Sequence, residues 1–181
     1  MQGRKRFVLT MDGGGIRGLI PVRLLETIEA RLRTSGKDGP LHRYFDMMAG
    51  TSAGGLIAAS LALPRPEDTG GTPVASLPDL RRFFEVECRE LFRRKGFLER
   101  FAANPMAPFD HSFDERPFER LLKERFGWAS LQGALTRVVL TAYDIAAREP
   151  VVMANGLGAD GGRPSDFYAW QAVRATMALP L

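Results

Sequence analysis

Two short apolar runs in this chain each break off at a cluster of small residues and pass straight into a helical pattern. The second, "YFDMMAGTSAGGLIAASLA", contains Gly50, Thr51, Ser52, Ala53 and Gly54, a G-x-S-x-G. A strand can turn into a helix within so few residues only through a strained turn. Glycines on either side of the serine remove the Cβ atoms that would collide there. The serine then stands at a helix N-terminus, where the dipole and the unpaired N–H groups favour developing negative charge. Ser52 is thus a candidate nucleophile. A tightly packed small-residue turn is the competing reading.

The first run, "RFVLTM", leads into "DGGGIRG", with Gly13, Gly15 and Gly18 as a G-x-G-x-x-G. A dinucleotide site would use this strand-loop-helix context but also wants an acidic residue about 20 positions on, at the end of a second strand. Asp46 lies too far along and opens the strand that leads to Ser52. A P-loop needs Lys-Ser/Thr after its last glycine, where Leu19 and Ile20 stand here. Two readings remain. One is a tight turn needing positive φ. The other is an oxyanion hole, in which consecutive glycine N–H groups point at the carbonyl oxygen of an acyl substrate. Two such turns at adjacent strand ends, one with a serine, favour the oxyanion hole.

The remaining chain reads as alternating elements. A helix follows over residues 19–34, where Leu24, Leu25, Ile28 and Leu32 recur at helical spacing. Residues 47–64 carry no charge, a length that invites a transmembrane reading. The glycines, serines and threonine within them argue for a buried strand, turn and helix instead. Residues 64–78 form a loop rich in Pro, Gly and Thr, and residues 79–94 an amphipathic helix with Leu80, Phe83, Phe84, Leu91 and Phe92 as apolar members. A helix with Asp114 as N-cap and Gly127 as its stop comes next. A hairpin, "LTRVVLTAYDI" and "PVVMAN" around "AARE", then precedes a last helix in "DFYAWQAVRATMA". Early strands alternating with helices predict an α/β fold on a parallel sheet. At 181 residues, 45% hydrophobic and 25% charged, the chain fits one soluble globular domain. The net charge of +4 comes from interleaved acids and bases, so no basic stripe for nucleic acid forms. Cys88 is the only cysteine, which excludes a disulfide framework and a Cys-based metal site. It reads as a small buried residue, and Trp128 and Trp170 as packing residues.

The paired motifs, in "LTMDGGGIRGLIPVRLLETIEARL" and "YFDMMAGTSAGGLIAASLA", resemble the patatin-like phospholipase family. "ALTRVVLTAYDIAAREPVVMAN" resembles the family's central strand pair, and "AWQAVRATMALP" its following helix, so the resemblance spans nearly the whole chain and is weakest over 64–112. It implies a three-layer α/β/α fold with a mainly parallel central sheet, related to α/β hydrolases, over residues 1–181 as the N-terminal portion of the domain. It also implies lipid acyl ester hydrolysis by a Ser–Asp dyad, with no cofactor and no metal. By position Ser52 matches the nucleophile. Gly13, Gly14 and Gly15 match the oxyanion loop, ending at Gly18, and Arg17 the arginine that steadies it. Ser52 is expected to face Gly14 and Gly15 across an open cleft.

A serine nucleophile needs an adjacent base. His42 precedes the serine strand beside Arg43 and Tyr44 and reads as a surface residue. His111 lies in an irregular segment, and no acid–histidine pair follows Ser52 in the order of an α/β-hydrolase triad. The resemblance implies an aspartate in an Asp-Gly-Gly or Asp-Gly-Ala turn after the "RAT" helix. Asp160, Gly161 and Gly162 form such a tripeptide but precede that helix, so Asp160 reads as a turn residue, expected out of reach of Ser52. Asp12 resembles the aspartate of the oxyanion loop. The expectation is that the base lies beyond Leu181 and that the chain is an N-terminal piece. The rival is a non-hydrolytic interaction domain that lacks the base. Arg93, Arg94 and Lys95 beside Phe97, Leu98 and Phe101 suggest contact at an anionic membrane surface, though Glu85, Glu87, Glu90 and Glu99 fit a solvated helix end equally well. No apolar signal core precedes the glycines, which predicts a cytoplasmic protein, peripheral to a membrane where it meets its lipid.

Overall fold

A computed structural model describes residues 5–88, 116–156 and 167–178. Strand β1 (Val8–Met11) enters a 3-10 turn (Gly15–Gly18) and helix α1 (Leu19–Thr34). Strand β2 (Met47–Gly50) enters α2 (Ala53–Ala62). Next come α3 (Leu77–Arg82), continued by a π-helical turn (Phe83–Glu87), and α4 (Arg116–Phe126). Strands β3 (Arg137–Asp144) and β4 (Glu149–Ala154) and helix α5 (Ala169–Thr176) complete the described chain. The sheet order is β1-β2-β3-β4. The first three strands are parallel, and β4 is antiparallel to β3. Helices pack on this mainly parallel sheet, in keeping with an α/β/α arrangement.

The uncharged stretch 47–64 is explained by α2. Every one of its residues is buried, and it packs on β1, β2, β3 and α5. A helix with no polar side must lie inside the protein. It sits in the middle of the core with Leu56 and Ile57 fully enclosed alongside Met48, Val138 and Leu140. No helix among the described residues is long and apolar enough to cross a membrane. The hairpin closes as its turn residues demand. The Asp144 carboxylate accepts from the N–H groups of Ala146 (2.9 Å) and Ala147 (3.0 Å). At the other end the Asn155 side chain accepts from the Val138 N–H at 2.7 Å and donates to the Thr136 carbonyl at 3.2 Å.

Three details differ from the expectations, at α1, at the helix expected over 79–94 and at Trp128, whereas Trp170 packs against the core as expected. Helix α1 buries Val22 and Leu25, whereas Leu24 and Ile28 face outward. The amphipathic helix expected over 79–94 begins two residues earlier, because Ser76 and Asp79 form a capping box there. Its Leu80, Phe83 and Phe84 are buried, and Leu91 and Phe92 lie outside the described residues, as does Asp114. Trp128 is 71% exposed rather than packed inside, and meets Tyr168 edge-on at 5.2 Å. Trp170 is partly buried under the Lys123 ammonium, 4.3 Å from its ring centre. Gly127 does end α4, at φ 54.

Cys88 is buried behind the π-helical turn, and burial pushes its thiol up to about 11. Raising a thiol pKa from 9.0 to about 11 lowers the thiolate fraction roughly a hundredfold at pH 8. Alkylation of the folded protein by iodoacetamide at pH 8 should therefore be at least that much slower than in denaturant. Equal rates, followed by mass spectrometry, would contradict the burial of this side chain.

Candidate active site

The elbow is set by strand register and by contacts that admit no Cβ. Strand β2 ends at Gly50, level with Met11 of β1 and Leu140 of β3. The next peptide is tied to β1, since the Thr51 N–H donates to the Met11 carbonyl at 3.2 Å. The chain then reverses at Ser52, with φ 54 and ψ −122, and enters α2. Such a conformation costs a serine on the order of 1–3 kcal/mol. A Cβ on Gly50 would run into the carbonyl group of Gly54, and one on Gly54 into the carbonyl of Met11. The G-x-S-x-G spacing thus follows from two backbone approaches. The turn is held by bonds from the Gly54 N–H to the Thr51 carbonyl (3.0 Å) and from the Leu56 N–H to the Ser52 carbonyl (2.9 Å).

The glycine loop after β1 stands beside this serine. Gly13 is the loop glycine at which a side chain would meet Ser52. A Cβ there would come within 3.0 Å of the Ser52 Cβ and 3.2 Å of the Thr51 carbonyl oxygen. Gly14 lies against the Arg17 side chain, and Gly15, at φ 56, borders open space. The Arg17 N–H donates to the Gly14 carbonyl at 3.1 Å, closing the 3-10 turn, and the Arg17 side chain is exposed. Gly18 is buried against the Phe84 ring, so it packs the loop's far end rather than facing the serine. The N–H groups of Gly13, Gly14 and Gly15 have no acceptor among the described residues. Neither does that of Ala53, which as the first residue of α2 has no intrahelical partner. The hydroxyl of the half-buried Ser52 likewise has no hydrogen-bond partner among the described residues.

The candidate bases separate by position. His42 sits beside the Leu61 backbone, at the opposite end of α2 from Ser52. Nine residues of helix place it about 13 Å away. It is also partly buried rather than a surface residue, and burial, aided by Arg43, lowers its pKa. Asp12 is exposed at the end of β1. His111 and Asp160 lie outside the described residues, as do Arg93, Arg94, Lys95, Phe97, Leu98 and Phe101. Among the described residues no group of His, Cys, Asp and Glu could hold a metal ion. Two threonines at the elbow have no part in either glycine motif. Thr141 of β3 meets the Thr51 hydroxyl at 2.6 Å, and Thr176 of α5 accepts the Ser52 N–H at 3.0 Å. The sole sequence signal for Thr176 is its place in the "RAT" of the last helix, and Thr141 is a polar residue between Leu140 and Ala142.

Comparison with known families places the chain as a whole. The family described as Patatin-like phospholipase matches residues 9–181. The chain belongs to that family. Patatin-like protein 2 of Oryza sativa subsp. indica is 34% identical over 149 residues, covering 81% of this chain and 36% of the relative. Patatin of Solanum tuberosum is 32% identical over 176 residues, covering 96% of this chain and 42% of the relative. Patatin-like protein 2 of Arabidopsis thaliana is 31% identical over 153 residues, or 82% and 36% of the two chains. This patatin-like chain thus spans between about a third and two-fifths of the curated relatives it matches.

The two kinds of glycine in this site should behave differently. Gly54→Ala sets a methyl against the Met11 carbonyl, backbone on backbone, and should destabilise the fold by about 3 kcal/mol or more. Gly15→Ala meets no atom within 4 Å and bears only the left-handed backbone penalty, about 1–2 kcal/mol. Thermal melts of the two variants should differ in that order, and a Gly54→Ala protein melting with the wild type would refute the elbow packing.

Proposed function

We propose that this patatin-like chain carries the nucleophile and the anion-binding loop of a serine lipid acyl hydrolase. The observation that carries the reading is Ser52 at φ 54 on the N-terminus of α2, with Gly13 beside it and the N–H groups of Gly13, Gly14, Gly15 and Ala53 without an acceptor among the described residues. In the proposed mechanism the Ser52 hydroxyl oxygen attacks the carbonyl carbon of a fatty acyl ester and gives its proton to a carboxylate base. The carbonyl oxygen becomes an oxyanion, held by N–H groups of the Gly13, Gly14 and Gly15 loop and by that of Ala53, the residue after the nucleophile. Arg17, bonded to Gly14 through its backbone, keeps the loop in shape. Collapse breaks the ester C–O bond, and the base returns the proton to the departing alcohol. Water then attacks the acyl-enzyme by the same route, and the fatty acid leaves.

The base is assigned to an aspartate outside the described residues, in a turn that follows α5, with Asp160 not taking part. For the lipid surface we assign the outer side of α1. Ile16, Ile20, Leu24 and Ile28 recur there every four residues from the glycine loop onward, with exposed Arg17 and Arg31 among them. Apolar side chains flanked by cations suit contact with an anionic bilayer.

The test compares soluble p-nitrophenyl butyrate with phospholipid vesicles, using the protein extended past Leu181 in its reading frame. Ser52→Ala should abolish both activities in a folded protein, and Asp160→Asn should leave kcat within a few-fold of the wild type. Gly15→Ala, strained at φ 56, should shift the loop that carries its N–H and lower kcat, with a smaller change in KM. Leu24→Glu should spare the soluble ester and slow release of fatty acid from vesicles. Activity that survives Ser52→Ala would remove this serine from the mechanism. Absence of any activity in the extended protein would favour a non-hydrolytic interaction domain.

A further inference from the structure

The Ser52 peptide is held by a residue from the far end of the chain. Its N–H donates to the Thr176 hydroxyl at 3.0 Å, across 124 positions of sequence. Thr176 is 5% exposed, at the last turn of α5. Its two branches do different work. The hydroxyl takes the Ser52 N–H, while the methyl lies against α2, where a Cβ on Gly55 would come within 2.8 Å of it. A β-branched side chain fixed on both branches has one usable χ1, so the acceptor's position is set by the packing of α5 on α2. A second hydroxyl contact, Thr51 to Thr141 at 2.6 Å, braces the preceding residue against β3.

We propose that Thr176 is a positioning residue for Ser52, an inference that rests on the nucleophile reading above. Ser52 occupies a left-handed conformation that its own chain disfavours, and such conformations persist only where the surroundings over-determine them. By accepting the Ser52 N–H, the Thr176 hydroxyl fixes the peptide plane from which the nucleophilic oxygen is aimed. It also occupies the serine's own N–H. That amide is then unavailable to the oxyanion, whose donors are left to the glycine loop and Ala53. A purely structural buried threonine would stabilise the fold through its methyl and leave the reactivity of the serine untouched.

Two substitutions separate the branches. Thr176→Val keeps the shape and removes the acceptor, and Thr176→Ser keeps the acceptor and removes the methyl. In the extended protein, Ser52 reactivity is read with a fluorophosphonate probe. The serine oxygen bonds to phosphorus, the P–F bond breaks, fluoride leaves and the serine proton passes to the base. The modified serine is identified by mass spectrometry, and kcat and KM are measured on p-nitrophenyl butyrate. A displacement of the nucleophile of about 1 Å costs on the order of a hundredfold in rate. Thr176→Val should therefore lower both the labelling rate and kcat by roughly tenfold to a hundredfold, with KM within about twofold. Thr176→Ser should restore kcat to within a few-fold despite a lower melting temperature. Wild-type kcat in Thr176→Val, or activity in the two variants that follows their melting temperatures, overturns the inference while labelling at Ser52 stands. Should Thr176→Val fail to fold, Thr176→Ser decides alone. Near-native kcat supports the hydroxyl, and a large loss of kcat in a folded protein refutes it. Labelling at another serine, or none at Ser52, refutes the nucleophile reading and this inference with it.

Discussion

The carbonyl of Met11 and the backbone of α2 at Gly54 share a space that admits no Cβ, and the geometry of the site descends from that contact. Because β1 and β2 are paired in parallel register, Met11 and Gly50 end level, and the chain after Gly50 must turn under the end of its neighbour. Gly50 and Gly54 let it do so within one helical turn. The turn leaves Ser52 at positive φ, against Gly13 of the adjacent loop. The cost of that conformation is met elsewhere, by a helix whose ten residues are all buried. Burial of Leu56, Ile57 and Leu61 alone, at roughly 1.5–3 kcal/mol for a fully buried aliphatic side chain, outweighs one strained residue.

The accounting of backbone donors shows why this turn suits anionic oxygen. At a helix start four N–H groups lack intrahelical partners, and buried ones are nearly always paired somewhere. Here Ser52 gives its N–H to Thr176 and Gly54 gives its own to Thr51. The N–H groups of Ala53 and Gly55 have no acceptor among the described residues. Ser52 itself stands at the positive end of α2. A dinucleotide loop uses the same kind of glycine turn but has no need of a serine at contact distance from its first glycine. The approach of Gly13 to Ser52 is thus a feature that a dinucleotide loop does not require.

Much of this architecture was legible in the sequence, because local chemistry decided it. The glycine clusters fixed both strand-to-helix turns, the uncharged run 47–64 fixed a buried helix, and the Asp and Asn flanking "AAREPVVMA" fit the hairpin that forms. What was not legible depends on the fold as a whole. The periodicity of α1 offers two apolar stripes, one through Val22 and Leu25 and one through Ile20, Leu24 and Ile28, and only packing decides which turns inward. Trp128 follows a helix-stopping glycine, and the direction of the chain after that stop leaves its ring outside. Within the site, the motif named three glycines without saying which one meets the serine. That depends on how β1 and β2 end relative to each other. Thr141 and Thr176 carried no motif of their own, since their partners lie 90 and 124 residues away.

The two classes of residue divide the work between precision and chemistry. Residues 8–62 supply the serine, the donor loop and the helix dipole from contiguous chain, so this part of the site forms wherever β1, β2 and α2 assemble. Its fine position is set from outside, by β3 through Thr141 and by α5 through Thr176. Helix α5 is itself seated on α2, β3 and α4, with Ala169, Ala172 and Val173 fully enclosed. Interiors packed at crystal-like density transmit small displacements rather than absorbing them. Helix α5 thus links α4 to the elbow both through the Thr176 hydroxyl and through its packing on α2. The position of Ser52 is in this sense a property of the assembled α/β core, while its backbone turn is set by the glycines on either side.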